Sequence, residues 1–555
     1  LNEISPSRQS SSVAAVAAAV VAILVCFFGH PGAMGLVGPD EPRYAWIARA
    51  MAATGDWVTP RLYGQPWFEK PVLYYWLAAI GFKLNLPAEW AARLPSAFAA
   101  LAAALAIGWL GWKHFGIEDD FADSPALLAP VIFSASVAAV GFARAATPDM
   151  LFSALIALAM ASAAHVLRRA RTLRCAADQS ADTAPRDFTS LIFFGASLGL
   201  AVLAKGPAGV ILAGGAIGIW AAATGRWRAG LRLAHPLAIA AFCVVALPWY
   251  VLCARRNPQF IHEFIFQHNF ERYLTPVFQH KQPFWFFGPM ILLAALPWTV
   301  LLVPAAREGL RQWRDKSWSD SPSFYFACWA IFPVLFFSFS QSKLPGYILP
   351  AVAPLALILA RAYAQVTNRD SVSARRITIA LGFTWVAIGL SAAILIHRLP
   401  HDALTSVGRA IYICAVIAIA GGMMIVLLKP VRRCGVVLLS ALLVAILVEM
   451  AGMLILPTFD PYISARSHAA MLMNDRRPDR IFTFGLQRSW SYGLAFYLER
   501  ELPEWSPTDP QAAFVLTNPK GLQKIRELGR VGGTLDETFR GILYVPVLPT
   551  QPRTR

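Results

Sequence analysis

Of 555 residues, 57% are hydrophobic and only 15% are charged, and the mean hydropathy is +0.51. Average soluble proteins carry about 25% charged residues. An ordinary cytosolic enzyme, a disordered chain and a disulfide scaffold are therefore excluded. What remains is a polytopic membrane protein, with repeated apolar stretches near the ~20 residues that span a bilayer.

The net charge of +17 would suggest nucleic acid in a soluble protein. Here most Lys and Arg sit in short loops between apolar runs, which is the positive-inside bias with some basic residues left for anionic lipid. Membrane lipid is the expected partner, and nucleic acid is not. The seven cysteines show no paired-ligand spacing, so neither a disulfide framework nor a zinc knuckle is expected. No small-residue cleavage site follows the apolar run Val13 to Gly29, which reads as a retained first helix rather than a removed signal peptide.

In chain order, apolar runs begin near Val13, Val72, Arg93, Ala126, Met150, Leu191, Pro207, Leu233, Trp285, Pro322, Gly346, Ile377, Arg409 and Gly435. Five strongly basic segments, 168–186, 226–232, 307–316, 369–376 and 429–433, belong in the cytoplasm and are separated by two crossings each. Counting back from 168–186 puts both ends of 71–92 outside, so that run does not cross. Its Pro71, Tyr74, Tyr75, Trp76 and Lys83 suit an interfacial or re-entrant helix. The expectation is an all-α polytopic protein with about 13 spans, a cytoplasmic N-terminus and an external C-terminus. A fourteenth span at 71–86 is the alternative. A membrane domain, 1–456, would carry two large external loops: 30–92, with surface helices at 41–53 and 71–84, and 254–284. The remainder, 457–555, alternates strand-like pieces (481–484, 513–516, 542–547) with helix-like ones (489–500, 521–528) and reads as a small α/β domain.

Charges beside a membrane are costly without a partner or a use. The first external loop opens with Asp40-Glu41-Pro42-Arg43-Tyr44 and later carries Trp67-Phe68-Glu69-Lys70-Pro71. Asp149 follows Thr147-Pro148 at the next external turn. Asp40 and Asp149 each also suit a helix N-cap. Later external turns supply Lys205, Arg272 with Tyr273, and Lys343 with Tyr347. Singly, each cation could be a snorkelling anchor. Together with Arg43 and Lys70 they form a plausible cradle for a phosphate, with Asp40, Glu69 and Asp149 able to place a nucleophile or a divalent metal. His262, His268 and His280 have no metal-motif spacing; of these, His268 is the candidate to line a pocket. There is no Walker A loop, so no nucleotide cofactor is expected.

The first-loop pattern Asp40-Glu41-Pro42-Arg43-Tyr44-Ala45, Thr54-Gly55-Asp56-Trp57 and Phe68-Glu69-Lys70-Pro71 with Tyr74-Tyr75-Trp76-Leu77 resembles the GT-C membrane glycosyltransferases of the protein mannosyltransferase-like group. Within that group it is most similar to the bacterial aminoarabinose lipid A transferases. One departure is Val72, where relatives often have a second proline after Glu-Lys-Pro. The resemblance implies Asp40 as the catalytic acidic residue and Asp149 as the second acidic position. It implies a phosphate site lined by Arg43, Tyr44, Lys70, Lys205, Arg272 and Tyr347, and a divalent ion, zinc or magnesium, at Glu69.

The implied reaction moves 4-amino-4-deoxy-L-arabinose, with inversion, from undecaprenyl phosphate to a lipid A phosphate, giving resistance to cationic peptides such as polymyxin. The implied setting is a Gram-negative inner membrane, with the active site and the C-terminal domain in the periplasm and the chain acting as a monomer. Two alternatives stay open: a polyprenyl-phosphate-sugar-dependent protein mannosyltransferase, and a lipid flippase or transporter using the same basic, aromatic groove. A transporter would more naturally hold its polar residues at the membrane midplane.

Overall fold

The computed structural model describes residues 6–117, 120–175, 187–271, 282–369, 371–398, 401–427, 433–474, 481–509, 511, 513–532 and 542–549. The chain is a mostly helical polytopic membrane protein with a small mixed sheet near its C-terminus. Among the described residues, eight helices are long and apolar enough to cross a membrane, or ten if each of two bent pairs counts as one span. The bent pairs are Pro125–Ser134 with Val137–Ala143, at 64°, and Phe284–Ala294 with Trp298–Arg314, at 108°. Three shorter apolar helices, Ser12–Phe28, Ala208–Thr224 and Pro322–Ser338, stand beside them.

Small residues let these helices approach closely. A Cβ at Gly195 would lie 1.9 Å from the Ala238 carbonyl oxygen, so only glycine lets Phe188–Lys205 lie against Pro236–Arg256. The apolar part of Pro148–Cys175 is the most enclosed of the eight, and Asp149 lies in the first turn of that helix.

The first loop is well built. Helices form at Asp40–Thr54 and Leu73–Lys83. The latter has 11 residues, which at 1.5 Å each makes about 16 Å, about half a hydrocarbon core. Between them runs a hairpin absent from the sequence expectation, β1 (Arg61–Leu62) and β2 (Gln65–Pro66). Its two central residues, Tyr63 and Gly64, both have positive φ, at 52° and 81°, as a two-residue type I′ hairpin turn requires. Asp56 accepts from the amides of Val58 and Thr59, and Trp76 Nε1 donates to the Trp57 carbonyl. Arg256 and Trp249, both on Pro236–Arg256, reach Asp56 and the Val58 carbonyl, so a later span anchors the loop.

The last long helix runs past Pro457 to Ile463. A π-helical segment, Ala451–Ile455, ends one helix, so Pro457 falls in the first turn of the next, where a missing N–H does little harm. Beyond it, β3 (Ile481–Phe484) pairs in parallel with β4 (Ala513–Thr517), and β4 pairs antiparallel with β5 (Leu543–Val547). Helices Arg488–Leu498 and Pro519–Glu527 follow β3 and β4.

Candidate active site

Asp40 does not cap its helix. The helix begins at Asp40 itself, with Pro39 before it and no side-chain cap. The carboxylate instead accepts from Arg43 at 2.5 Å, one turn on. Arg43 also pairs with Glu69 at 2.9 Å, so one guanidinium holds two carboxylates from opposite ends of the loop. Lys70 lies 3.8 Å from the other oxygen of Glu69. Arg43 is almost wholly buried among three rings, Tyr44 at 5.4 Å, Trp67 at 5.5 Å and Tyr492 at 5.6 Å. Tyr492 comes from the C-terminal helix Arg488–Leu498.

Asp149 is not a cap either. Its side chain accepts from Lys205, which ends the helix Phe188–Lys205. The Lys205 ammonium lies 5.1 Å from the Tyr347 ring and 5.5 Å from Phe152. Gly346 keeps this approach open, because a Cβ there would meet Phe142 at 2.9 Å and Asp149 at 3.2 Å. The Asp149 charge acts weakly on Asp40, after burial, Arg43, Glu69 and Lys70.

The electrostatics follow from crowding. Burial raises the Asp40 carboxyl above its ordinary value; Arg43 opposes this and the Glu69 charge adds to it. Burial works against the Arg43 charge, but Glu69 and its neighbours outweigh it and the guanidinium stays protonated. The Tyr44 and Tyr75 phenols are pushed up, first by burial and then by Glu69, so both are neutral at neutral pH. The buried Tyr75 hydroxyl makes no hydrogen bond among the described residues.

Thus Asp40, Arg43, Tyr44, Glu69 and Lys70 gather in one cluster, and Asp149, Lys205 and Tyr347 in a second. Lys343 does not join them. It is buried and donates to the carbonyls of Ser340 and Gln282, tying two backbone segments together. His268 sits half-buried in the π-helical segment His262–Glu271; Phe264 of that segment stacks on Phe260, on which Phe68 of the loop packs at 5.1 Å. Arg272 lies outside the described residues. Glu69 does not suit a metal site, because its oxygens face Arg43 and Lys70. Among the described residues no three His, Cys, Asp or Glu side chains gather to hold an ion.

Three neighbours of the cluster, Glu41, Arg93 and Tyr492, escape the sequence expectation. Glu41 is buried and accepts from Arg93 at 2.7 Å, from the Val37 amide at 2.9 Å and from the Ala146 amide at 2.6 Å. It thereby fastens the Asp40 turn to the turn before Asp149. A charge at the start of an apolar run was the signal for Arg93. Tyr492 had none.

The family model for dolichyl-phosphate-mannose-protein mannosyltransferase matches residues 12–264. Among curated proteins, the undecaprenyl phosphate-α-4-amino-4-deoxy-L-arabinose arabinosyl transferase of Edwardsiella ictaluri is 32% identical over 382 residues, 69% of this chain and 65% of that protein. Its counterpart in Erwinia tasmaniensis is 33% identical over 64% of this chain and 60% of that protein. The chain therefore spans slightly less than two thirds of these relatives' own length. The crystal structure of ArnT from Cupriavidus metallidurans bound to undecaprenyl phosphate superposes with a TM-score of 0.78 at 23% identity, covering 97% of this chain and 98% of that one. The first-loop resemblance thus extends across most of the chain: in sequence it is similar to the arabinosyl transferases of aminoarabinose, and in fold to ArnT.

Proposed function

We propose that the chain is an integral-membrane glycosyltransferase that moves 4-amino-4-deoxy-L-arabinose from undecaprenyl phosphate to a phosphate of lipid A, at a site facing the periplasm. The observation that carries this reading is the pairing of a half-open Asp40 carboxylate with Arg43, beside Lys70 and the Lys205–Asp149 pair. One acidic centre flanked by several cations suits a reaction in which both the attacking and the leaving groups are phosphates. Among the described residues, eight long apolar helices, or ten with each bent pair as one span, fit a multi-pass chain, and the alternation of the basic loops asks for about thirteen crossings. This supports a cytoplasmic N-terminus, with the first loop and the C-terminal domain outside.

In the proposed step, an acceptor phosphate oxygen forms a bond to the anomeric carbon. The bond from that carbon to the donor phosphate oxygen breaks on the opposite face, and its electron pair leaves with undecaprenyl phosphate. A phosphate monoester has a second pKa near 6, so the acceptor is already largely dianionic and a strong base is hardly needed. Asp40 orients the acceptor, takes its last proton where one remains, and stabilises positive charge developing at the anomeric carbon. Charge grows on the leaving phosphate, and fixed cations aimed there act where they help most. Lys205 is the first candidate: an ammonium has three donors, and Asp149 occupies one. Arg272 is the second candidate, and Arg43, Lys70, Tyr44 and Tyr347 line the phosphate site.

The test is mass spectrometry of lipid A from cells lacking their own transferase, supplied with this chain or its Asp40→Asn form. The expected result is an added pentosamine mass with the first and none with the second. No added mass with either, while both insert in the membrane, overturns the lipid A assignment and turns attention to a protein hydroxyl acceptor, which would need Asp40 as a true base.

A further inference from the structure

Away from the reacting groups, a cavity of about 400 Å³ opens between the helices Phe188–Lys205, Ala208–Thr224 and Pro236–Arg256. This is within the range of ligand pockets. Every side chain that lines it is apolar or aromatic. Phe194, Ala221 and Ile239 on its wall lie within about two turns of the helix ends beside the basic segment 226–232. Phe188 meets His235, just past that segment, with ring centroids 5.9 Å apart. The cavity therefore sits at the opposite end of Phe188–Lys205 from Lys205.

Missing side chains make the space. A Cβ at Gly195 would lie 1.9 Å from the Ala238 carbonyl oxygen, and one at Gly215 would lie 2.0 Å from Phe332, so close packing accounts for both glycines. A Cβ at Gly214 or Gly218 meets nothing within 4 Å. These two are four residues apart, on one face of their helix, and both line the cavity. Glycine inside a helix is disfavoured against alanine. No neighbour requires it here, and its effect is to leave an apolar trough that this helix does not fill.

The mouth of the trough is cationic. Arg226, Arg228 and Arg232 lie in and beside the short helix Trp227–Leu231. Asp320 holds Arg226 at 2.5 Å. Arg228 and Arg232 are exposed and make no hydrogen bond or ion pair among the described residues. Trp227 and Leu231, 54% and 69% exposed, line the cavity beside them. Arginine above tryptophan and leucine is the composition of a segment that lies among lipid headgroups. A guanidinium fork fits a phosphate, and positions four apart are near enough to share one. A zwitterionic lipid brings its own ammonium, which repels both arginines. A lipid with net negative charge does not.

We propose that this groove binds an anionic glycerophospholipid of the surrounding bilayer, with its phosphate on Arg228 and Arg232 and one acyl chain in the trough over Gly214 and Gly218. In the topology proposed above this is the cytoplasmic leaflet, and the chemistry of the groove is the same in either. The bound lipid completes the packing of the helix that ends at Lys205, whatever sugar or acceptor is used at the other end.

The test is photo-crosslinking of the detergent-solubilised full chain with a phosphatidylglycerol carrying a diazirine in one acyl chain, followed by peptide mapping. Labelling is expected on residues 194–198 and 214–221, well above that on Ser371–Ile396, a largely exposed span that samples only loosely surrounding lipid. Unlabelled phosphatidylglycerol should displace the label, and phosphatidylcholine should not; this competition needs no variant. Replacing both arginines, Arg228→Gln with Arg232→Gln, should cut labelling about tenfold or more, as loss of charge-assisted hydrogen bonds does. The paired change to Lys should cut it less. Gly218→Leu should also cut it, since the longer side chain fills the trough. The arginines are exposed and a Cβ at Gly218 has free space, so melting temperatures should stay near that of the parent. Labelling no stronger than on Ser371–Ile396, equal displacement by phosphatidylcholine, or labelling unchanged by the Gln pair or by Gly218→Leu overturns the proposal.

Discussion

Tyr492 places its ring 5.6 Å from the guanidinium of Arg43, so a residue of the C-terminal domain touches the cation that holds Asp40 and Glu69. The same helix sends Tyr497 to Glu89 and to the Leu36 amide, and Phe496 and Glu499 to Arg49. The C-terminal domain is part of the site's wall.

Tyr492→Ala should weaken the hold on Arg43 by about 0.5–2 kcal/mol, the worth of a cation–π contact. This corresponds to roughly a 2–30-fold loss in catalytic efficiency. Tyr492→Phe keeps the ring and should stay close to the parent. Steady-state kinetics on both variants check this, and equal losses in the two would argue for the hydroxyl instead.

Asp40→Asn should abolish transfer yet stabilise the fold at neutral pH. The sign follows from the raised carboxyl: ionised Asp40 is less favourable in the folded chain than in the unfolded one. That cost is present at pH values above the raised folded value, fades as pH falls through it, and vanishes below the ordinary value near about 3.9. Thermal melting of the two forms across pH 3–8 should converge at the acid end. In the active form, the acid limb of the rate profile should lie above the ordinary carboxylate range.

Lys205→Ala should lower kcat roughly a hundredfold or more, as loss of a well-aimed donor to developing charge does, with less effect on KM. Asp149→Asn and Lys205→Ala share one contact, so the double variant should lose less than the product of the two single losses. Strict multiplicativity would show that the pair does not act as a unit.

Glu41→Ala should be the most disruptive carboxylate change in the loop. It leaves the buried Arg93 with carbonyl acceptors but no carboxylate, and breaking such a pair costs about 3–5 kcal/mol. It also frees the amides of Val37 and Ala146. A large fall in melting temperature is expected, greater than for Glu69→Ala. Retained stability would mean that the turn is held by other contacts.

Much of this arrangement was legible in the order of residues, for physical reasons. Loop charge and apolar length gave the helical membrane architecture, and acids beside bases at one face marked Asp40, Arg43, Glu69, Lys70, Asp149 and Lys205. What escaped was set by contacts distant in sequence. Asp40 and Asp149 looked like helix caps, because a short acid before a helix satisfies the same local rule whether it faces an amide or a distant lysine. Lys343 looked like a site cation and proved to be a buried donor to two carbonyls. The hairpin at Tyr63-Gly64 was hidden because its two strands have only two residues each.

The stretch from Gly32 to Val37 is held by the far end of the chain. Asp460 accepts from the Gly35 amide, Arg466 reaches the carbonyls of Gly32 and Ala33, and the Tyr497 hydroxyl accepts from the Leu36 amide. This gives assembly a direction in time. The loop that opens the site leaves the ribosome well before its fasteners, with Asp460 coming 425 residues after Gly35. A nascent chain lacks these fasteners until residue 497 has emerged, so a chain stopped short of that point is expected to carry the loop without them.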